Sequence, residues 1–370
     1  MYPETRAIDN PNLAGSGGVA GPSPDASSRK RTERPLRQRE VSRRFFLFLC
    51  ALPAAALLVR EAKAAERLRI AAQKTGTFAF ELAVAAARGF DRQAGLDIAV
   101  TEVASPEAAK IALLGGSADI ILSDWLWAAR QRSLDGKLVF FPYSTAVGAL
   151  LVPPDSPLKS LSDLRGRKIA VAGGPLDKSW LLLQAYAKSS GLDLAKEADI
   201  IYGAPALLYQ KALSGEADAT LNYWNFCAAL ESRGHRRLIA IAEVERRLGA
   251  AEPVAMVGYV FSEKLAETRG PALARFFAVT AKAREVLAHS DAYWEEIGKK
   301  AGITNASELA LFRKTYIEGI PRRSAAQELV DARQLYRILS RIGGPELTGG
   351  TAELDDSIFY RQVDGAHETP

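Results

Sequence analysis

Sulfur and imidazole side chains are scarce in this sequence. Its 370 residues include two cysteines, three histidines and two methionines. Cys50 lies in an apolar N-terminal segment, so Cys227 has no partner for an intramolecular disulfide, and we expect it to be a small buried side chain. The histidines are scattered at His235, His289 and His367, without the spacing of metal ligands. The sequence therefore predicts no metal site.

Catalytic and nucleotide-binding motifs are absent as well. The sequence contains no G-x-S-x-G elbow and no P-loop, so we expect no catalytic residues and no cofactor. The net charge is +5, but residues 1–64 hold 11 basic and 6 acidic side chains, and the remaining chain is balanced at 37 of each. Because the excess positive charge belongs to this N-terminal part, we expect no nucleic-acid partner.

The N-terminal part divides into two segments. Residues 1–40 are polar and rich in Pro, Gly, Ser and Arg, which predicts a disordered leader. Residues 41–64 are similar to a twin-arginine export signal, with Arg43-Arg44 before an apolar run from Phe45 to Val59 and Ala62-Lys63-Ala64 as a cleavage site. An uncleaved membrane anchor is the alternative. The export signal predicts a periplasmic protein.

From residue 66 onward, short apolar runs alternate with amphipathic segments, which predicts an α/β fold with mostly parallel sheets. The predicted strands are 67–73, 96–103, 119–122, 137–143, 149–153, 168–172, 199–202, 218–221, 238–241 and 256–261. Helices are predicted at 79–94 and 106–114, and the pattern from 272 to 343 is almost wholly helical. Residues 346–370 are predicted to form a tail.

One segment occurs twice. "ALLGGSADIILSDW" (112–125) and "ALSGEADATLNYW" (212–224) share Ala-Leu, a Gly, Ala-Asp, a short apolar run and a Trp six residues after the Asp. Each copy predicts the end of a helix, a tight turn and a buried strand. Ligands of parallel α/β sheets bind beyond the carboxyl ends of the strands. Two similarly built lobes would therefore present these strand ends to each other across a cleft.

These segments resemble the nitrate, sulfonate and taurine type of substrate-binding proteins of ABC transporters. The opening "LRIAAQKTGTFAFELAVAAARGFDRQAGLDIAVTEV" is similar to the first strand, loop and helix of that family, and "GALLVPPDSPLKSLSDLRGRKIAVAGG" to the entry into its second lobe. The resemblance implies a two-lobe type II periplasmic binding fold with a helical C-terminal part. Lobe 1 would comprise 66–149 and 255–345, and lobe 2 would comprise 150–254. It also implies a small-molecule ligand, an ABC permease as partner and a monomer.

Four groups of residues are candidates for ligand binding. In the loop Lys74, Thr75 and Thr77, hydroxyls and backbone N–H groups at a helix start favour an anion, although Thr77 could simply cap the helix. At the end of the repeated strand, Asp124 could cap the next helix or accept from an amine, and Trp125 could stack on a ligand. We expect Trp127 in the core. The neighbouring Ser123 belongs to this second group.

The other two groups lie in the second lobe. Gly174, Asp177 and Trp180 surround a helix start, where Gly174 would let the backbone approach the ligand and Asp177 is expected as N-cap. A carboxylate at this position opposes an anionic ligand and is a departure from the family pattern. Asn222 and Tyr223 offer neutral hydrogen bonds and Trp224 offers stacking. Tyr143 is a secondary candidate on a strand end.

The sequence leaves the ligand open. A taurine-like zwitterion fits, with Asp124 or Asp177 for the amine and backbone N–H groups for the sulfonate. A heterocycle stacked between Trp125 and Trp224 fits as well. A sensor or accessory protein of an exported system is the alternative function. A pyrimidine-synthase-like enzyme of the same fold is less favoured, because its cysteine-rich iron motif is absent.

Overall fold

A computed structural model describes residues 64–74 and 76–361 of the chain. The leader, nearly all of the export signal and the end of the tail lie outside the described residues, as does Thr75. The described part comprises two five-stranded sheets with helices on their faces. The expected two-lobe α/β fold is confirmed, with one lobe built on each sheet. The predicted residue limits of the lobes stay predictions.

The first sheet has the strand order β2-β1-β3-β10-β4. Its strands are β1 (Glu66–Gln73), β2 (Leu96–Val103), β3 (Ile120–Asp124), β4 (Leu138–Ser144) and β10 (Val257–Ser262). Strands β1, β2 and β3 are parallel, whereas β10 is antiparallel to both of its neighbours. The strand that returns from the second half of the chain is thus inserted between β3 and β4.

The second sheet repeats this plan with the order β7-β6-β8-β5-β9. Its strands are β5 (Gly148–Val152), β6 (Lys168–Ala172), β7 (Asp199–Gly203), β8 (Ala219–Tyr223) and β9 (Arg236–Ala240). Strand β5 is antiparallel to β8 and β9, so it occupies the place that β10 has in the first sheet. Each lobe therefore receives one strand from across the molecule.

Helices cover the faces of the sheets. Those of the first part are α1 (Thr77–Arg88), α2 (Phe90–Gln93), α3 (Pro106–Leu114), α4 (Trp125–Ser133), α5 (Lys178–Ser189), α6 (Leu194–Glu197), α7 (Pro205–Leu213), α8 (Trp224–Glu231) and α9 (Ile241–Arg247). The helical C-terminal part contains α10 (Glu263–His289), α11 (Asp291–Ala301), α12 (Ala306–Glu318) and α13 (Ala325–Thr348). None of the described helices combines the length and apolarity needed to cross a membrane.

The repeated segment has the same structural role in both sheets. The carboxylate of Asp119 accepts a hydrogen bond of 2.8 Å from the backbone N–H of Arg69 in the middle of β1. Asp218 accepts from the backbone N–H of Lys168 at the start of β6, also at 2.8 Å. Each Asp thus ties the turn before a central strand to the neighbouring strand. This local requirement explains why the sequence contains the Ala-Asp turn twice.

The chain crosses between the sheets twice. The first crossing joins β4 to β5 through residues 145–147, and the amide of Thr145 donates to the carbonyl of Gly319 at 2.8 Å. The second crossing, residues 250–256, leads from α9 to β10, and its Val254, Ala255 and Met256 are fully buried. Helix α13 packs on both α4 and α5, so it contacts both lobes beside the crossings.

Many element boundaries differ from the sequence pattern by one or two residues, and two of the differences have a clear physical cause. The helix predicted at 79–94 is interrupted at Gly89, whose φ of 67° is left-handed and ends α1. The predicted strand 238–241 lies instead at Arg236–Ala240. Backbone pairing to β5 decides where this edge strand begins. Its first two residues are exposed arginines, so the apolar pattern used to predict strands does not include them.

Candidate functional site

A charged side chain follows the carboxyl end of a central strand in each of the two sheets. Asp124 ends β3 and caps α4, where its Oδ1 accepts from the amide of Trp127 at 2.8 Å. Asp177 caps α5, and its Oδ1 accepts from the amides of Ser179 and Trp180 at 2.9 and 3.3 Å. The hydroxyl of Tyr223, at the end of β8, donates to Asp177 Oδ2 at 3.3 Å. The expected capping roles of both aspartates are confirmed.

Electrostatics link these groups across the two lobes. Burial raises the pKa of Asp177, and the negative charge of Asp124 adds to that rise, while Lys178 opposes it. Burial also raises the pKa of Tyr223, with further contributions from Asp177 and Asp124. Asp124 therefore lies near enough to Asp177 and Tyr223 for its charge to act on them. We call Asp124, Asp177 and Tyr223 the acidic tip.

The helix start in lobe 1 is built differently. Helix α1 begins at Thr77, and its N-cap is Gly76, which has no side chain to accept from the first amides. The sequence-based alternative in which Thr77 caps the helix is therefore wrong. Strands β1 and β3 are parallel neighbours, so the loop that follows β1, with Lys74, lies at the same edge of the sheet as Asp124 at the end of β3. We call the start of α1 bare, because no side chain accepts hydrogen bonds from its first backbone amides. At the start of α5, by contrast, the carboxylate of Asp177 accepts from two of them.

Two buried hydroxyls lie beside the acidic tip. Ser123 precedes Asp124, and Ser179 lies in the first turn of α5, two residues after Asp177. Both side-chain oxygens are buried and have no hydrogen-bond partner among the described residues. Both hydroxyls therefore keep their hydrogen-bonding capacity beside the acidic tip.

Gly173, rather than the predicted Gly174, is the glycine that this geometry requires. Gly173 has a left-handed φ of 90°, and a Cβ there would lie 3.1 Å from Asp177 Oδ2 and from the Tyr223 hydroxyl. A Cβ on Gly174 would meet no atom within 4 Å. The close approach of the β6 end to Asp177 and Tyr223 therefore depends on Gly173.

Gly173→Ala is expected to destabilise the protein by about 1–2 kcal/mol, because an L-residue is strained at a left-handed φ and the added methyl pushes against Asp177. Gly174→Ala is the matched control, with a change within about 0.5 kcal/mol. Urea unfolding of both variants measures the difference. Equal midpoints for the two variants would contradict the assignment of Gly173.

Thr77 and Tyr143 meet at the same edge of the first sheet. Thr77 Oγ1 and the Tyr143 hydroxyl lie 2.9 Å apart, and Tyr143 donates to Glu81 Oε1 at 2.8 Å. Glu81 and its partner Arg284 are not among the residues predicted from the sequence. The available signal for Glu81 was that, apart from Arg88 in the last position, it is the one charged residue of the apolar helix TFAFELAVAAAR. Arg284 lies in a helix with many charges, so no such signal existed for it.

The tryptophans are placed differently from the sequence expectation. Trp125 is 0% exposed and packs in the core against Tyr336 and Phe359, with ring centroids 6.2 and 6.5 Å apart. It cannot be a stacking platform for a ligand. Trp127, expected in the core, is partly buried, packs against the core and lies under Lys110. Trp180 is also buried, and its indole N–H donates to the Tyr202 hydroxyl at 3.0 Å.

Asn222 and Trp224 are used for packing within the protein. Asn222 is buried, donates to the carbonyl of Pro205 at 3.0 Å and accepts from the amide of Tyr223 at 2.8 Å. Trp224 is partly buried and packs against Phe312 of α12, at 4.6 Å between ring centroids. With Trp125 in the core, the expected sandwich between two tryptophans is not formed.

Metal binding and thiol chemistry have no support in the described part of the chain. No group of three or more His, Cys, Asp or Glu residues within 64–74 and 76–361 is arranged to hold a metal ion. Cys227 is buried, as expected, and its Sγ lies 3.1 Å from the carbonyl of Asn222. Burial raises the pKa of this thiol to about 12, so it stays protonated at neutral pH.

Solved structures with this fold include several binding proteins. The periplasmic aliphatic sulphonate binding protein SsuA from Escherichia coli aligns with a TM-score of 0.65 and 20% identity, over 82% of this chain and 96% of that chain. The alkanesulfonate-binding protein SsuA from Xanthomonas axonopodis pv. citri, bound to MOPS, aligns with a TM-score of 0.62 and 20% identity, over 80% and 100%. The desulfurization enzyme DSZB aligns with a TM-score of 0.53 and 14% identity, over 75% and 92%.

These likenesses establish the fold, and they include both binding proteins and an enzyme. No curated protein matches the sequence. The model of the NMT1/THI5 like family matches residues 78–291, which is more than half of the chain and extends from α1 through both lobes into α11. The chain is therefore a member of the NMT1/THI5 like family, with the fold of the periplasmic substrate-binding proteins that its sequence resembles.

Proposed function

We propose that the protein is a periplasmic solute-binding protein that delivers a small zwitterionic solute, with an ammonium and an anionic group, to an ABC importer. The observation that carries the proposal is the acidic tip, in which one carboxylate at the carboxyl end of each sheet caps a helix and the charge of Asp124 acts on Asp177 and Tyr223. The acidic tip lies at the carboxyl ends of the strands, where ligands of parallel α/β sheets bind. The permease partner, the periplasmic location and the monomeric state follow from the resemblance and the export signal.

Closure of the lobes is unfavourable for the empty acidic tip. Asp124 and Asp177 are attached to different lobes, and each carries a negative charge when ionised, so bringing them together costs Coulomb energy. A ligand ammonium between them removes this cost and adds charge-assisted hydrogen bonds. Such a ligand binds the closed state better than the open state, and therefore shifts the population toward closure.

The anionic end of the ligand has a separate place. The bare start of α1 offers backbone N–H groups and the positive end of the helix dipole, and Lys74 is exposed next to it. The equivalent helix start in lobe 2 is occupied by the carboxylate of Asp177, which repels an anion. This asymmetry favours a zwitterion over an alkanesulfonate without an amine.

Other ligand classes have less support. A heterocycle between two tryptophans needs an accessible Trp125, which is buried in the core. An enzymatic role needs a nucleophile, a base or a cofactor at the acidic tip. The one described cysteine is a buried neutral thiol, and Asp177 is engaged as a helix cap. Binding without chemistry is therefore the function we propose.

Thermal unfolding with a ligand panel tests the proposal. Taurine, isethionate and ethanesulfonate share the ethanesulfonate skeleton and differ in whether an ammonium, a hydroxyl or a hydrogen is at the other end. A ligand at a hundred times its dissociation constant adds about 2.7 kcal/mol to the unfolding free energy, which raises the melting temperature measurably. We expect a shift with taurine and little with ethanesulfonate. Amino acids, which are also zwitterions, complete the panel. If none of these ligands raises the melting temperature, the proposal is contradicted.

Asp177→Asn tests the electrostatic part of the proposal. Asn is as good an N-cap as Asp, so helix α5 should retain its stability. Loss of the charge should weaken taurine binding by about tenfold or more, since hydrogen bonds to charged groups are worth about 1.5–3 kcal/mol. Ethanesulfonate binding should stay equal or improve. A parallel loss for both ligands would indicate a structural effect instead.

A further inference from the structure

A buried hydrogen-bond network lies beneath the start of α1. Its centre is Glu81, which is 0% exposed. Oε1 of Glu81 accepts from the hydroxyl of Tyr316 at 2.7 Å and from the hydroxyl of Tyr143 at 2.8 Å. The Nε of Arg284 lies 3.2 Å from both carboxylate oxygens. Arg284 also donates to the Tyr259 hydroxyl at 2.6 Å and lies 4.4 Å from the centre of the Tyr143 ring.

The protons in this network have one consistent arrangement. Burial raises the pKa of Glu81, and Arg284 and the two tyrosine hydroxyls oppose this rise. The guanidinium of Arg284 pairs with the carboxylate at 3.2 Å, and this ion pair favours the charged form of Glu81. A charged carboxylate only accepts, so Tyr143 and Tyr316 must both donate to it. Burial raises the pKa of Tyr143 well above its ordinary value, so the phenol keeps its proton.

The arrangement fixes the hydroxyl of Thr77. A phenol has one proton, and that of Tyr143 is donated to Glu81. In the 2.9 Å contact between Tyr143 and Thr77, the donor must therefore be Thr77. The single proton of the threonine hydroxyl is then committed to Tyr143, and the only hydrogen-bonding capacity that Thr77 Oγ1 has left is to accept.

We propose that Thr77, with its hydroxyl oriented by Tyr143 and Glu81, is a specificity-determining acceptor that selects solutes with an N–H or O–H donor. Thr77 is partly exposed at the α1 start, at the same sheet edge as Asp124. The lone pairs of Thr77 Oγ1 repel sulfonate oxygens, so a sulfonate bound by the backbone N–H groups of α1 keeps its oxygens away from this hydroxyl, and the ammonium of the same ligand is the group that donates to Thr77. Tyr143, Glu81 and Arg284 are positioning residues that act through Thr77. The proposal rests on the proposed function and names the chemistry that this site selects.

Tyr143→Phe tests the proposal against a matched control. The ring is retained, but Thr77 loses its obligatory acceptor and becomes free to donate to a ligand. The ratio of ethanesulfonate to taurine dissociation constants, from titration calorimetry, should be at least about tenfold in the unaltered protein and fall several-fold in Tyr143→Phe. Tyr316→Phe removes the other phenol from the same Glu81 oxygen without contacting Thr77, and should keep the ratio.

The outcomes separate the two proposals. If the unaltered protein binds none of the panel, the proposed function fails and this inference fails with it. If taurine binds but both tyrosine variants keep the ratio of the unaltered protein, or lower it equally, the network is merely structural and the inference is overturned.

Thr77→Val and Thr77→Ser provide a second test at a partly exposed position. Only the serine variant, which keeps the hydroxyl, should retain the ratio, and equal ratios in these two variants would overturn the inference.

Discussion

Glu245→Gln is expected to stabilise the protein at pH 9 and to have little effect at pH 4.5. Glu245, at the end of α9, is fully buried and accepts a 2.9 Å hydrogen bond from the amide of Val254 in the second crossing. Glu328 of α13 accepts from the next amide, that of Ala255, at 2.8 Å. Two buried carboxylates thus satisfy backbone groups of a segment between two sheets, where no neighbouring strand is available to do so.

The expected pH dependence follows from the pKa of Glu245. Burial raises this pKa to about 8, and the charge of Glu328 adds to the rise, whereas Arg246 and Arg323 oppose it. The unfolded chain loses the proton near pH 4.5, but the folded protein holds it until about pH 8. Between these values the folded state binds more protons, so the free energy of unfolding falls as the pH rises. The full loss is about 5 kcal/mol.

Glutamine keeps the acceptor for Val254 and cannot ionise. The variant should therefore lack this part of the pH dependence and unfold at a higher temperature than the unaltered protein at pH 9. Glu243→Gln is the control, because Glu243 is on the same helix but pairs with Arg247 at the surface. Melting curves from pH 4.5 to 9 measure both. Parallel curves for Glu245→Gln and the unaltered protein would show that Glu245 is ionised in the folded state at neutral pH.

Glu81→Leu is expected to destabilise the protein by about 3–5 kcal/mol. The substitution leaves Arg284 buried without its counter-charge and deprives two tyrosine hydroxyls of their acceptor, and an unpaired buried charge costs this much. Combining it with Arg284→Leu removes the unpaired charge, so the double variant should recover much of the loss. Urea unfolding of the two single variants and the double variant gives the coupling energy.

The control for Glu81 is an ion pair at the surface. Glu66 pairs with Arg269 and Arg275, and all three side chains are partly exposed, so Glu66→Gln should cost no more than about 1 kcal/mol. If Glu81→Leu costs no more than this control, the buried network does not hold the α1 start in place. The orientation of Thr77 would then lose its physical basis as well.

Much of the fold was predictable because its signals are local. The repeated Ala-Asp turn marks the start of the third parallel strand in each sheet, and the aspartate makes the same backbone hydrogen bond in both copies. Asp124 and Asp177 were recognisable as helix caps from their position before helical segments. Capping needs only neighbouring residues, so one sequence is sufficient to find it.

The predictions for tryptophan failed because the partners are remote in sequence. Trp125 and Trp127 are both in the first turn of α4, and periodicity within one helix does not say which of them faces the core. Helix α13, some two hundred residues later, supplies Tyr336 as a packing partner for Trp125. The network around Glu81 was missed for the same reason, since its partners Arg284 and Tyr316 come from distant helices.

Calorimetric titration of the purified protein with taurine and with ethanesulfonate tests the central claim most directly. The two ligands differ only in the ammonium group that the acidic tip and Thr77 are proposed to recognise. We expect one binding site for taurine per chain and an affinity at least about tenfold higher than for ethanesulfonate, a difference of about 1.4 kcal/mol. Equal or tighter binding of ethanesulfonate would contradict it.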